Sequence, residues 1–236
     1  MESRKRRAGR PTKPVLNRSI IAEHALELVV AGGLDKLTMG QLAKRLGVAT
    51  SALYNHVDNK ADIVLLIQDA LVSQVSLETM LQLTAGEATL EDALEDWARS
   101  YRSVFAAYPS LIPLIAVTPV SDAPQTLHMY NVVAEAVMAA GIPDDRVIGV
   151  IVAFESFLFG SALDMNAPSD VLHAGEPSHD SASLERAVAA ALGTPEGDQS
   201  GEAELNSDAG TGNVNAEPPF QFGLDALIRQ TLELIA

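Results

Sequence analysis

An all-α fold is predicted for this chain, and two observations predict it. Between Leu37 and Lys60 two short helical patterns flank the three-residue turn Gly47-Val48-Ala49. Beyond them, apolar residues recur at helical spacing in segments bounded by capping residues, glycine or proline. A hydrophobic content of 47% with a mean hydropathy of +0.14 excludes a wholly disordered chain, and 236 residues suffice for one large domain or two smaller ones.

Residues 1–16 include Arg4, Lys5, Arg6, Arg7, Arg10 and Lys13, a density of charge that cannot pack, and are read as a basic flexible arm. Two roles fit it: arginines such as Arg7 and Arg10 entering a minor groove or neutralising phosphates, or a solubilising tail; Gly9-Arg10-Pro11 resembles the core of an AT-hook. Asn17 caps a first helix to about Ala31, with Ile20, Ile21, Ala25, Leu28 and Val29 inward and Gly32-Gly33 ending it.

Thr38 followed by Gln41 is a capping-box start, and Leu42, Ala43 and Leu46 then fall on one helix face that stops at Gly47. After so short a turn the next helix, about Thr50 to Val57, must cross the first steeply, with Leu46, Val48, Leu53 and Val57 filling the shared core. Thr50, Ser51, Ala52, Tyr54, Asn55 and His56 remain outward, groups suited to base edges and phosphates and poorly suited to a core. The stretch therefore reads as a helix-turn-helix. Asn59 caps a fourth helix with Lys60 in its first turn and Asp62 at its third position; this helix is expected to reach about Met80 and to join head to body.

In the body, Leu90, Leu94, Trp97, Ala98, Tyr101, Val104, Phe105 and Tyr108 make one helical stripe. Pro113 and Pro119 break the segment from Leu111 to Val120 into a short helix and a turn. A helix from about Ser121 to Ala140 presents Leu127, Tyr130, Val133, Ala134 and Val137 and closes at Gly141 and Pro143; the next, Asp144 to about Asn166, is apolar almost all round and is expected to face a partner subunit as well as the core. Residues 167–182 read as loop, Ser183–Leu192 as a short Ala-rich helix and 193–219 as a disordered acidic insert, with structure resuming at Phe220. A last amphipathic helix, Phe222 to Ile235, carries Leu224, Leu227, Ile228, Thr231, Leu232 and Ile235.

Charge is divided sharply. Residues 1–62 carry eleven Lys+Arg against six Asp+Glu, whereas residues 63–236 carry five against 25, with no lysine after Lys60. That describes a cationic DNA-facing head on an acidic body that repels the duplex and orients the head toward it. The chain has no cysteine, hence no disulfide, thiolate nucleophile or Cys-based zinc site. No apolar stretch follows the basic start, so no signal peptide is expected, and the run Val147–Leu163, interrupted by Glu155, reads as a buried helix rather than a bilayer span. His173 and His179 with Asp170, Glu176 and Asp180 lack the spacing of a metal site, and no phosphate loop, nucleophile elbow or His-Glu-x-x-His pattern occurs. Catalytic residues, metal ligands and a cofactor are therefore not expected, and neither is enzymatic activity.

The residues Leu42-Ala43, Leu46-Gly47-Val48, Ala52-Leu53-Tyr54, His56-Val57 and Asn59-Lys60 together resemble the DNA-binding domain of TetR/AcrR regulators, closely over about residues 17–65. Ala49 departs from the pattern, since many members place a Ser or Thr cap there, a role Thr50 is expected to take over. The resemblance implies that Thr50, Ser51, Ala52 and Asn55 face bases, that Tyr54 and His56 touch backbone or bases, and that Lys60 holds a phosphate; Thr38, at the start of its helix, joins this DNA-facing set. It further implies a helix-turn-helix domain over 17–65 and a helical regulatory and dimerisation domain over 66–236.

In that domain Trp97, Tyr101, Phe105, Tyr130, Phe154 and Phe157 are candidate walls of a ligand cavity, with Asp96, Arg102, His128, Arg146 and Glu155 as polar anchors, of which Asp96 and Arg146 are favoured; the same stripe also reads as ordinary core. The expectation is a cytoplasmic homodimeric repressor, paired through helices 144–166 and 222–235 and released from palindromic operator DNA by a small-molecule effector, without membrane partners. A ligand-independent repressor, an activator or a helical protein-interaction module are the alternatives.

Overall fold

Side-chain capping decides where the helices of the N-terminal half begin. Asn17 Oδ1 accepts from the Ile20 N–H at 2.9 Å and starts Arg18–Gly32 (α1); Thr38 Oγ1 accepts from the Gln41 N–H at 3.2 Å and starts Met39–Leu46 (α2). Asn59 and Asp62 form a complete capping box at the start of Lys60–Val72 (α4). Gly47, at φ 66° in the left-handed region, ends α2. These elements belong to a computed structural model that describes residues 16–172, 181–192, 213 and 215–235. The expected arm of residues 1–16, except its last residue, the loop histidines and most of the acidic insert lie outside the described residues.

Among the described residues there are eleven α-helices and no strand. By its contacts the chain divides into two compact units, one from the residues up to Val75 with Ser110–Val132, the other from Ser76–Pro109 with the residues from Val133 onward. In the first unit α1 packs on α4 and α2, bringing Ile21, Ala25 and Val29 into one core with Leu42, Leu53, Ile63, Ile67 and Leu71. The expected recognition helix is shorter than its sequence suggests. Thr50–Leu53 (α3) makes a single turn, and residues 54–56 continue as a turn in which the His56 and Val57 N–H groups both bond the Leu53 carbonyl. Its start carries no side-chain cap: Ala49 has no acceptor, and Thr50 lies inside the helix instead of capping it.

The expected helix to Met80 also ends early. α4 stops at Val72, and after the loop around Ser76 a separate helix, Glu78–Thr84 (α5), packs on Leu90–Ala106 (α6). Ser76 uses its backbone N–H on Ser100 Oγ at 2.8 Å, a tertiary bond that a continuous helix would not leave free. The segment from Leu111 forms the expected short helix, Ile112–Ile115 (α7), followed by a turn, and Pro113 sits within the first turn of that helix, where its missing N–H costs nothing.

Pro124–Ala139 (α8) begins in the first unit and ends in the second. Its buried face is Thr126, Met129, Val132, Val133, Ala136 and Val137, so Leu127, expected inward, is exposed and Tyr130 is half-buried. In the second unit α6 packs on Asp144–Asp164 (α9), on α5 and on Glu217–Leu232 (α11), while Ala182–Leu192 (α10) is the short helix expected there.

The C-terminal helix starts five residues before the expected Phe222 and ends three before Ile235. Residues 215–219 therefore do not belong to a disordered insert: Pro218 lies in the first turn, where proline favours helix entry, and Glu217 is tied to the core. Glu217 accepts from Arg99 Nη1 at 2.9 Å and from Arg102 Nη1, while Arg102 Nη2 donates to the Ala216 carbonyl at 3.0 Å and its guanidinium lies 3.9 Å over the Phe220 ring. Arg99 also bonds Glu95 and Gln221. These contacts hold the Glu217 carboxyl below its ordinary value, first through Arg99 and then Arg102, and raise Arg99 chiefly through Glu217.

The stabilisation from Glu217 is thus complete above pH 4.5, the ordinary value, and disappears as pH falls through the depressed one. Chemical denaturation of the wild type and of Glu217→Gln from pH 7 to pH 3 is expected to show the variant less stable at neutral pH, with the gap closing below pH 4.5. A gap independent of pH would count against the ion pair.

Candidate functional site

The outward surface of the helix-turn-helix rests on two anchors. Leu53 and Val57 are buried, and Leu46 and Val48, expected beside them, are half-buried. Because Leu53 is fixed inward, its neighbours Thr50, Ser51, Tyr54 and Asn55 are all exposed, Tyr54 at 52%, while Ala52 and His56 are half-buried at the edge. Thr38 is exposed at the N-terminus of α2. Hydroxyl, amide and phenol groups are thus presented to solvent around the turn of α3, as reading a major groove requires.

Lys60 is exposed, yet its Nζ donates to the Leu34 carbonyl at 2.8 Å. An ammonium has three donors, so this bond orients the lysine beside the N-terminus of α4 and leaves N–H groups for an anion. Arg45 pairs with Glu27 and is committed to the head's own packing; that guanidinium holds the Glu27 carboxyl below its ordinary value. Arg7 and Arg10 lie outside the described residues.

The aromatic candidates of the body do come together. Trp97 meets Tyr101 edge-on at 5.8 Å and Phe154 at 5.8 Å, and Tyr101 stacks on Phe105 at 4.6 Å. All four are buried. Phe159, which the sequence reading did not include, stands edge-on to both Tyr101 and Phe105. Phe157 is half-buried and lies parallel to Phe220 at 5.7 Å, a second missed aromatic whose signal was the adjoining pair Pro218-Pro219 at a helix entry. Tyr101 donates its hydroxyl to Glu155 at 2.9 Å, whereas the buried Trp97 Nε1–H has no acceptor among the described residues.

The expected polar anchors fare differently. Asp96 is exposed and accepts from Thr79 Oγ1 at 2.6 Å, so it ties α6 to α5 rather than serving the aromatic cluster. Arg102 is spent on α11, as described above. His128 is exposed on α8, and Tyr130 belongs with the first unit. Arg146 is exposed at the start of α9 and, with Phe154, lines a cavity of about 240 Å³ between α9 and α11. A second cavity of about 300 Å³ is lined by Phe157 and Phe220 together with Ser156, Ser161 and Asp164. A third, of about 330 Å³ between α6 and α11, is polar, with Glu91, Glu95, Asp225 and Arg229. Among the described residues no group of three His, Cys, Asp or Glu side chains is arranged to hold a metal.

Comparison with known proteins agrees with this geometry. Residues 21–67 match the family model described as "Bacterial regulatory proteins, tetR family", and residues 84–229 the one described as "Tetracyclin repressor-like, C-terminal domain". The "HTH-type transcriptional repressor DrrR1" of Streptomyces coeruleorubidus is 25% identical over 157 residues, covering 66% of this chain and 56% of that protein. An "HTH-type transcriptional regulator" of Saccharopolyspora erythraea is 30% identical over 150 residues, 64% of this chain and 61% of that protein. The match thus spans less than two thirds of the length of these relatives. The crystal structure of Streptomyces coelicolor ActR in complex with (S)-DNPA superposes with a TM-score of 0.68 at 21% identity, over 94% of this chain and 100% of that one, a likeness of fold.

The turn that aims the exposed surface depends on Gly47, whose φ of 66° any side chain would strain. Gly47→Ala is expected to destabilise the head by about 1 kcal/mol, measured by thermal unfolding, although nothing lies within 4 Å of the added methyl group. An unchanged melting temperature would show that the turn relaxes without cost.

Proposed function

The chain belongs to the TetR family of bacterial regulatory proteins, and from that premise we propose that it is a homodimeric repressor that leaves a palindromic operator when a small molecule binds its helical body. The observation that carries the DNA-binding part is the exposed row Thr50, Ser51, Tyr54 and Asn55 over the buried Leu53, at the cationic end of a chain otherwise strongly acidic. Thr38, Ala52, His56 and Lys60 complete the contact surface, and Arg7 and Arg10 of the basic arm add phosphate or minor-groove contacts. A protein that works on chromosomal DNA works in the cytoplasm.

Dimerisation is supported by the apolar surface left on the last long helices. Only 33% of the most apolar window of α9 is buried within the chain, although that window has a mean hydropathy of 1.8. Its length and composition would suffice for a bilayer, but a second copy of the chain is the better cover for a helix of a regulatory body. Ile148 is 69% exposed, Val152 52% and, on α11, Phe222 79%. Pairing α9 and α11 across a two-fold axis buries the same patch on both copies and places two recognition surfaces for successive major grooves.

The effector reading rests on the aromatic cluster of Trp97, Tyr101, Phe105 and Phe154, on Trp97's unmet N–H and on the cavities beside Phe154, Arg146 and Phe157. A ligand bound better by the conformation with misplaced heads lowers operator affinity by linkage.

Two measurements test these points. With a duplex selected by the wild-type chain from a randomised pool, Tyr54→Ala and Lys60→Ala are each expected to weaken binding by ~1 to 3 kcal/mol without altering the fold; unchanged affinity in both would sink the interface. A thermal-shift titration with aromatic, lipophilic and cationic compounds is expected to give a saturable rise in Tm for at least one class. A flat response throughout favours a ligand-independent repressor.

A further inference from the structure

The residue before α8, Ala123, has no side chain that could cap the helix, and Pro124 at its start has no N–H; the N–H of Thr126 is one of the donors that the first turn leaves open. It is met by a residue from elsewhere. Asp69, near the C-terminal end of α4, accepts from the Thr126 N–H at 2.8 Å and from the Thr126 hydroxyl at 3.2 Å through one carboxylate oxygen. Thr126 is 1% exposed, so the contact is closed to solvent on that side, and the carboxylate lies at the positive end of the α8 dipole. Next to Asp69, Gln68 is 3% exposed and its side-chain carbonyl has no partner among the described residues. The inner face of α4 therefore holds one acceptor engaged on α8 and, among the described residues, one unspent.

α4 is also the helix that starts directly after the recognition stretch. Its first residue is Lys60, bonded to Leu34, and Asp69 lies nine positions later, about 13.5 Å along the axis. α8, for its part, is the helix within which the chain passes from the first compact unit to the second. We infer that the Asp69–Thr126 contact is the latch by which the placement of α8 sets the placement of α4 and hence of the DNA-reading surface. The inference rests on the regulator reading given above. Asp69 acts here as a positioning residue, since its role is to tie α4 to α8; with the latch open α4 keeps its packing on α1 but loses its polar tie to α8, so more of its placement must be fixed during binding rather than before it.

The test uses the full chain and the duplex selected by the wild type. Asp69→Ala is expected to weaken binding about tenfold and Thr126→Val, which keeps the backbone bond and removes the hydroxyl bond, two- to threefold; the milder change also serves if Asp69→Ala does not fold. Asn166→Ala removes a comparable bond to the Ala106 carbonyl within the second unit and is expected to stay within twofold. Adding Ala123→Ser to Asp69→Ala gives α8 a local cap, which is expected to recover melting temperature without recovering affinity. The latch is overturned if Asp69→Ala binds as the wild type does, if Asn166→Ala weakens binding equally, or if the local cap restores affinity. Failure of the wild type to select any duplex overturns the regulator reading and the latch with it, whereas wild-type binding with unaffected variants overturns the latch alone.

Discussion

The head stands or falls with the packing of α1 on α4. Ile21, Ala25 and Val29 on one side and Ile63, Ile67 and Leu71 on the other are buried, and α2 and α3 are mounted on that pair through Leu42 and Leu53. A side chain reads a base edge only if the backbone beneath it is held still, and α3, a single turn with no cap, is too short to hold itself. Its rigidity is borrowed from the core under it. The same dependence makes α4, which supplies half of that core, a support of the exposed row above Leu53.

The second unit answers a different requirement. Its centre is aromatic where the head's is aliphatic: α6 places Trp97, Tyr101 and Phe105 on one stripe, and α9 closes over them with Phe154 and Phe159. Large flat rings pack at fixed angles and leave gaps at their edges more readily than branched aliphatic side chains do, so a core of this kind can be dense and still border cavities. α11 is added to this centre by polar means, through Arg99 and Arg102 on Glu217 and the Arg102 guanidinium on Phe220.

Much of the fold was legible in the sequence because its helices announce their ends. Asn17, Thr38 and Asn59 cap where they stand, Gly33 and Gly47 take the left-handed φ expected of helix stops, and the all-helical class and family follow. What escaped was decided by contacts between distant residues. Nothing local to Val72 says that α4 must end there, and the loop that follows is tied instead to a distant residue, Ser76 N–H bonding Ser100 Oγ. Phe222 has the composition of a core residue and is exposed, whereas Phe220, beside two prolines, is buried. Periodicity of mixed apolar residues identifies a face but not which neighbour it meets, which is why Asp96 was assigned to a cavity and is found on Thr79. The exposed residues Thr50, Ser51, Tyr54 and Asn55 could be named in advance because a three-residue turn leaves few ways to orient the following helix; a site assembled from several helices has no such local signature.

The five lysines, Lys5, Lys13, Lys36, Lys44 and Lys60, are all in the first sixty residues, and one of them, Lys60, uses its ammonium to grip the Leu34 carbonyl. Side-chain amine chemistry on this protein is therefore confined to the N-terminal end that carries the helix-turn-helix. Acetyl transfer to these lysines, or coupling of the protein to a surface through them, removes positive charge from the head while leaving the acidic body chemically untouched. At Lys60 it would also exchange an ammonium fixed beside the recognition stretch for a neutral amide.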